Sequence, residues 1–362
     1  MTSPLARHIA GLIQEAGPIS LSHYMALALG HPRYGYYMTR DPLGVAGDFT
    51  TAPEISQMFG ELIGLWLADC WLKQGRPAPF VLAELGPGRG TLMSDIWRAT
   101  KAVPGMHESC AVHFVETSPT LRAAQAALMP QATWHHSIES LPARPLFIVA
   151  NEFFDALPVS QYQRTQAGWC ECHVALAEGA TLDEPRFTPV LAPMPIASDA
   201  LLAPSLRQAP IGAIAEVSPA ARAITEEIAN RLAGQGGAAL IIDYGHVQSA
   251  AGDTFQALCG HQFADPYEAP GEADLTVHVD FQALAEAAAR GGAVVHGPVE
   301  QGAFLMELGI EMRARTLKAK ATPDQAADID AALTRLTDRQ EMGSLFKVLG
   351  LTPRGVATPP GL

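Results

Sequence analysis

FVLAELGPGRG, residues 80–90, is an apolar run that stops in three alternating glycines, and TLMSDIWRATKA (91–102) follows it with apolar residues at helical spacing. A strand that hands over to a helix through glycines lets backbone N–H groups approach a ligand with no Cβ in the way. The spacing narrows the class. A dinucleotide fingerprint, G-x-G-x-x-G, needs glycine at position 91, where this chain has Thr91. The chain contains no G-x-x-x-x-G-K-[ST] pattern, which disfavours a phosphate-cradling NTPase. A plain glycine-rich β–α turn is the bland alternative.

Working outward, the same texture repeats. VHFVET (112–117) is a short strand, and Ser118-Pro119 behind it makes a good helix cap and first helical residue. A third strand is expected near 132–136, and LFIVAN (146–151) is a fourth apolar run stopped by polar residues. Ser218-Pro219 opens another helix, which Gly234, Gly236 and Gly237 close ahead of AALIIDYG (238–245). Buried parallel strands joined by helices predict an α/β fold with a doubly wound open sheet. Two regions break the alternation: residues 1–79 read as a helical N-terminal region with a Gly/Pro/aromatic loop, and 160–215 read as an inserted α+β subdomain containing a β-hairpin-like segment. The resulting plan is 1–79, a first sheet half 80–159, the insertion 160–215, a second half with C-terminal helices 216–350, and a tail 351–362. Beyond Phe304 two helical segments are expected, with the final TPPGL frayed.

Composition sets the outer limits. With 24 Lys+Arg against 37 Asp+Glu in 362 residues, the formal net charge is −13. That balance argues against a sequence-independent nucleic-acid binder, which needs a basic footprint to displace counterions. No apolar run reaches the ~18 residues of a membrane-spanning helix. The segment MTSPLARHIAGLIQEAG has apolar residues at helical spacing and lacks a signal-peptide pattern, so a cytoplasmic bacterial protein opening on an amphipathic helix is expected. Five scattered cysteines suggest reduced thiols; the lone Cys170-x-Cys172 lacks the second pair that zinc prefers.

The ends of the strands carry the candidate chemistry, because ligands of open α/β sheets sit outside the carboxyl ends of strands. Glu116 closes the second strand, where a carboxylate can accept both hydroxyls of a ribose; a solvated strand-end acid is the alternative. NEFFDALP (151–158) closes the fourth. Two polar groups, Asn151 and Glu152, directly after an apolar strand fit the border of a reacting centre better than plain surface. His135 and His136 beside Glu139 suggest a metal only superficially, because adjacent residues on a strand face opposite ways. No metal site is expected.

The pattern acid-x-G-x-G-x-G at 84–90 is the nucleotide-loop form of class I S-adenosylmethionine (SAM) methyltransferases. Further stretches carry a wider resemblance: LSHYM (21–25), HPRYGYY (31–37), GDFTTAPEISQMFGE (47–61), NEFFDALP, IDYGH (242–246), ADLTVHVDF (273–281) and QGAFLMELG (301–309). By their order and spacing the chain resembles the MidA family, the bacterial relatives of the mitochondrial complex I assembly-factor protein-arginine methyltransferase. Where the mitochondrial relatives carry a targeting extension, this sequence starts at its first helix.

The resemblance implies a class I SAM-methyltransferase sheet, SAM as cofactor and S-adenosylhomocysteine as product. It places Gly86, Gly88 and Gly90 under the methionine part, Glu84 near the cofactor's ammonium group and Glu116 on the ribose. Ser137 and Ile138 then lie near the adenine, with Asn151 also on the cofactor side. It implies an arginine-bearing protein substrate, such as a respiratory complex I subunit; the acidic charge argues for no nucleic acid, and the insertion 160–215 is a reasonable surface for a homodimer or for substrate docking. A guanidinium is a poor nucleophile with a pKa above ~12, so carboxylates must fix its planar fork and accept a proton. Glu152 is the first catalytic candidate and Asp155 the second. Asp48 and Glu54 are candidates from a loop whose glycines 44 and 47 suit a lid, although TTAP (50–53) is equally helix-start chemistry. His246 and His278 are candidate bases with Asp243 or Asp280 as orienting partners, against the commoner structural histidine. Tyr34, Tyr36 and Tyr37 suit a cleft wall or the core. Rival readings are another side-chain or small-molecule methyltransferase, a non-catalytic assembly chaperone and a nicotinamide dehydrogenase.

Overall fold

The computed structural model describes residues 3–40 and 50–362. They form two compact units. One contains residues up to 40, Asp155–Arg222 and Gln248–Ala283; the other contains Thr50–Phe154, Ala223–Val247 and Leu284–Leu362.

The second unit is built on strands β1 (Phe80–Leu85), β2 (Cys110–Val115), β3 (Thr133–His135), β4 (Leu146–Asn151), β5 (Gly237–His246), β6 (Val294–Glu300) and β7 (Phe346–Thr352). Their order across the sheet is β6-β7-β5-β4-β1-β2-β3. Strands β3, β2, β1, β4 and β5 are mutually parallel, and β7 is inserted antiparallel between β5 and β6. From β1 the chain winds outward to β3, then returns to β4 on the other side of β1. The winding direction therefore reverses between β1 and β4, and a crevice opens at their carboxyl ends. All residues of β1 and β4 are buried, as central strands of a covered parallel sheet must be.

Two expectations about the C-terminal region are corrected. Phe346–Thr352 is a fully buried interior strand, not part of a helical tail. Its short apolar run has no periodicity that separates strand from helix; pairing with β5 and β6 decides it. The last residues are not frayed. The Trp66 indole N–H donates to the Pro360 carbonyl at 3.1 Å, and Leu362 packs against the core.

Helices α1 (Ala52–Ile55), α2 (Gln57–Lys73), α3 (Thr91–Thr100) and α4 (Pro119–Leu128) surround the first half of the sheet in sequence. Helices α2 and α3 approach closely at Gly60 and Gly64: a Cβ on Gly60 would stand 2.6 Å from that of Asp95, and one on Gly64 3.0 Å from the Ile96 Cα. Gly64→Val is expected to cost about 2 kcal/mol through overpacking, read as a lower urea midpoint with unchanged slope. Glu61, between these glycines, accepts both arms of the Arg313 guanidinium at 2.6 and 2.9 Å and one from Arg98 at 3.1 Å.

The first unit is α+β. Helices Pro4–Ala16 and Leu21–Gly30 are capped by the Ser3 and Ser20 hydroxyls. They share a core with Tyr36, Val159, Val174, Phe187 and Leu275. Residues 160–217 supply antiparallel strands Ser160–Arg164, Trp169–Leu176, Phe187–Pro195 and Ile214–Val217. Of the three tyrosines, Tyr36 is core, Tyr34 is exposed and stacks on His31, and Tyr37 donates to Asp274 at 2.7 Å.

Candidate active site

The site is assembled at the carboxyl ends of β1, β2, β3 and β4. After β1 the glycines take left-handed conformations, φ +59° at Gly86, +54° at Gly88 and +88° at Gly90. Side-chain-bearing residues rarely adopt this region, which is why glycine alternates here. A Cβ on Gly86 would lie 2.7 Å from the Phe153 ring. Gly86 thus lets the Phe153 ring pack directly on the loop backbone.

Glu84, the penultimate residue of β1, is buried, and one carboxylate oxygen, Oε2, has no hydrogen-bond partner among the described residues. Burial pushes its pKa up to about 8, against a bond from the Met93 backbone N–H that favours the anion, while the nearby Glu116 raises it further. A buried carboxyl with an unfilled acceptor position is poised for a cationic or donor ligand. Asn151, which ends β4, is similar: its Oδ1 is buried without a partner among the described residues, while its Nδ2 donates to Glu152 Oε1 at 2.9 Å.

Glu116 follows β2. Its Oε1 accepts the Thr117 and Ser118 backbone N–H groups, both at 2.7 Å, and its Oε2 accepts from Gln125 Nε2 at 3.2 Å. Burial raises its pKa, and those donors together with Arg122 oppose the rise. A carboxylate has about four acceptor positions, so the three bonds leave capacity on Oε2. The Arg122 guanidinium bonds the Glu116 carbonyl, by Nε at 2.9 Å and also through Nη2, and reaches the His135 carbonyl at 3.0 Å.

Beyond β3, Ser137 is exposed and Ile138 is buried. His135 does not pair with His136: its Nε2 meets His113 Nδ1 at 2.8 Å and its Nδ1 meets the Ser140 hydroxyl at 3.0 Å. Burial and the neighbouring ring push His113 down to about 4, so this pair is uncharged near neutrality.

After β4, Glu152 holds φ +50°, an uncommon conformation for a residue with a side chain and one that concentrates at functional sites. Its Oε1 also accepts the Ala52 backbone N–H at 3.0 Å, so Glu152 meets the first residue of α1. Two residues further along α1, Glu54 accepts the Thr91 hydroxyl at 2.5 Å and pairs with Arg89 at 3.8 Å. The sequence-predicted Glu54 is thereby brought to the glycine loop. Asp243 on β5 is fully buried; its Oδ2 accepts the Phe153 and Phe154 N–H groups at 3.2 and 2.9 Å, and its Oδ1 that of Tyr244 at 2.9 Å.

His246 ends β5 and is half-buried. Asp155 and His278 belong to the first unit, where the Asp155 carbonyl accepts the Val277 N–H and the Thr254 hydroxyl accepts that of His278. Asp280 accepts the Ser249 hydroxyl at 2.6 Å and the Ala283 N–H at 3.0 Å, a helix-capping arrangement. Asp48, with Gly44 and Gly47, lies outside the described residues. Sequence reasoning missed Gln125, Arg122, Trp134 and the anchoring part of Asp243. Only the amphipathic spacing of α4 hinted that one polar residue, Gln125, faces inward.

The chain is similar to known proteins. The model of the S-adenosyl-L-methionine-dependent methyltransferase family Methyltransf_28 matches residues 62–299. The mitochondrial protein arginine methyltransferase NDUFAF7 of Mus musculus is 37% identical over 97% of this chain and 85% of its own length. Its Drosophila melanogaster homolog is 38% identical over 96% and 85%. Among solved structures, a COG1565 superfamily member from Burkholderia thailandensis bound to S-adenosyl-homocysteine superimposes with a TM-score of 0.83 at 30% identity, covering 99% of this chain and 93% of the other. A parallel sheet that reverses between β1 and β4, a three-glycine loop at that reversal and these matches agree on one assignment: the chain belongs to the S-adenosyl-L-methionine-dependent methyltransferases, sharing their fold, cofactor and class of reaction.

Proposed function

We propose that this enzyme methylates an arginine side chain of a protein substrate. The observation that carries the reading is the pairing, at adjacent strand ends, of a buried acceptor site with a strained carboxylate. Glu84 Oε2 and Asn151 Oδ1 await donors, and Glu152 stands next in the chain at φ +50°. The relatives named protein arginine methyltransferases support the choice of substrate.

The residues present suit the cofactor. Glu84 offers a carboxylate to an ammonium group, the left-handed glycines 86, 88 and 90 offer a loop backbone without side chains at those positions, and Glu116 retains an acceptor position for a ribose hydroxyl. Ser137 and Ile138 are proposed as the contacts to the adenine. Bound SAM supplies an electrophilic methyl carbon on a sulfonium. The protein then has to orient a nucleophile and relieve it of a proton, which is chiefly a positioning task. A guanidinium nitrogen becomes nucleophilic only as its proton leaves, and Glu152 is proposed to fix the fork and take that proton. Asp155, Asp48 and His246 are the further catalytic candidates.

A respiratory complex I subunit is the first protein to try as substrate, with the reaction in the bacterial cytoplasm and a homodimer as the assembly to test by size. The deciding experiment incubates the full chain with SAM and arginine-containing candidate proteins and reads methylarginine by mass spectrometry. Glu152→Gln keeps an oxygen for the Ala52 N–H but no proton acceptor. It is expected to lose about 100-fold or more in methyl transfer while binding S-adenosylhomocysteine as tightly as wild type. Methylation of lysine or of a small molecule instead, or full activity in Glu152→Gln, overturns the respective part of the reading.

A further inference from the structure

The amide of Gln125 ties together three separate strand ends of the site. Its Nε2 donates to the Gly88 carbonyl at 2.7 Å and to Glu116 Oε2 at 3.2 Å, while its Oε1 accepts the Trp134 indole N–H at 2.7 Å. Gly88 belongs to the loop after β1, Glu116 follows β2 and Trp134 lies on β3. The side chain is completely buried, and its Cα stands 3.5 Å from where a Cβ on Gly90 would project. The amide has one chemically consistent orientation, because an indole only donates and a peptide carbonyl only accepts. A buried amide with three partners on three elements fixes their relative positions without contacting a ligand itself.

We propose that Gln125 is the positioning residue of the cofactor site, holding the glycine loop in register with Glu116 and directing Glu116 Oε2 to its task. The inference rests on reading these strand ends as the cofactor site and adds a residue to it. Arg122 on the same helix, Glu84 on β1, His135 at the end of β3 and His136 just after it are charged or titratable groups near Glu116. Of the neutral donors to Glu116 among those residues, only Gln125 also grips the loop.

The test uses the full chain and S-adenosylhomocysteine, titrated calorimetrically from pH 5 to 9. Gln125→Met keeps the side-chain length and removes all three hydrogen bonds. Affinity is expected to fall about 10-fold, and the acid limb of the pH profile to move upward, because Glu116 loses a donor that favours its anion. Trp134→Phe keeps an aromatic ring and deletes only the donor that orients the amide; it guards against misfolding of the first variant and is expected to shift both readouts in the same direction by less. Combined with Glu116→Gln, the effect of Gln125→Met should be less than additive. A wild type that binds while both variants match it in affinity and acid limb overturns the inference alone. A folded wild type that binds no S-adenosylhomocysteine overturns the cofactor-site reading and this inference with it.

Discussion

Glu84→Gln is expected to make the cofactor-free protein more stable at pH 8.5 while weakening S-adenosylhomocysteine binding by about 100-fold, the scale of a lost buried charge-assisted contact. The sign follows from the carboxyl group's pKa, which burial raises from 4.5 to about 8 in the folded chain. Below pH 4.5 the group is protonated folded or unfolded. As pH climbs from 4.5 to 8 the unfolded chain sheds this proton while the folded chain keeps it, so stability declines and the full cost stands above 8. Glutamine imitates the protonated group, still accepts the Met93 N–H and escapes the cost. Binding runs the other way. An ammonium partner favours the carboxylate, so wild-type affinity should rise toward pH 8 with a proton released to the buffer, and the variant should release none from this position. Thermal melting at pH 5.5 and 8.5, with calorimetry in two buffers of different ionisation enthalpy, reads both effects. A variant that melts lower than wild type at pH 8.5, or that binds with wild-type affinity, refutes the role given to Glu84.

The second large effect is expected from Asp243→Ala. Its carboxylate accepts three backbone N–H groups and is wholly inaccessible, so truncation leaves buried donors without acceptors. A loss of about 4 kcal/mol is expected from urea denaturation, on the scale of an emptied buried charged hydrogen-bond network. Two of those donors belong to Phe153 and Phe154, immediately after the strained Glu152. Methyl transfer at saturating SAM should therefore drop even where the variant remains folded. A stability change under about 1 kcal/mol would show that the turn holds its shape by other means.

The parts of the molecule legible in its sequence are those in which chemistry and position are local. FVLAELGPGRG announces strand, loop and helix because burial, left-handed backbone and helical spacing fall within a few neighbours. Asn151 and Glu152 stand out because the carboxyl end of an apolar parallel strand is where an open sheet meets its ligand. Asp243 reads in sequence as a partner for a histidine. Two of its printed partners are amides about 90 positions earlier, in a turn that begins where Glu152 adopts a conformation its side chain does not favour, and no local pattern points to them. Gln125 reads as one polar residue in an amphipathic helix, and its value lies in three strand ends that meet only in the fold. Strand β7 is hidden by its length: a short apolar run without period takes its identity from neighbours contributed by distant sequence.

The placement of β7 governs how this protein is born. Strand β5 leaves the ribosome with β4 already available on one side, but the partner for its other edge follows only about 100 residues later, roughly 5–20 s at ordinary elongation rates. Throughout that interval a buried-type, apolar strand offers a row of unpaired backbone groups to any nascent chain nearby. The sheet is closed from its interior by a segment made long after the strand it must cover, so translation, not local helix formation, sets the moment at which the enzyme stops being vulnerable to aggregation.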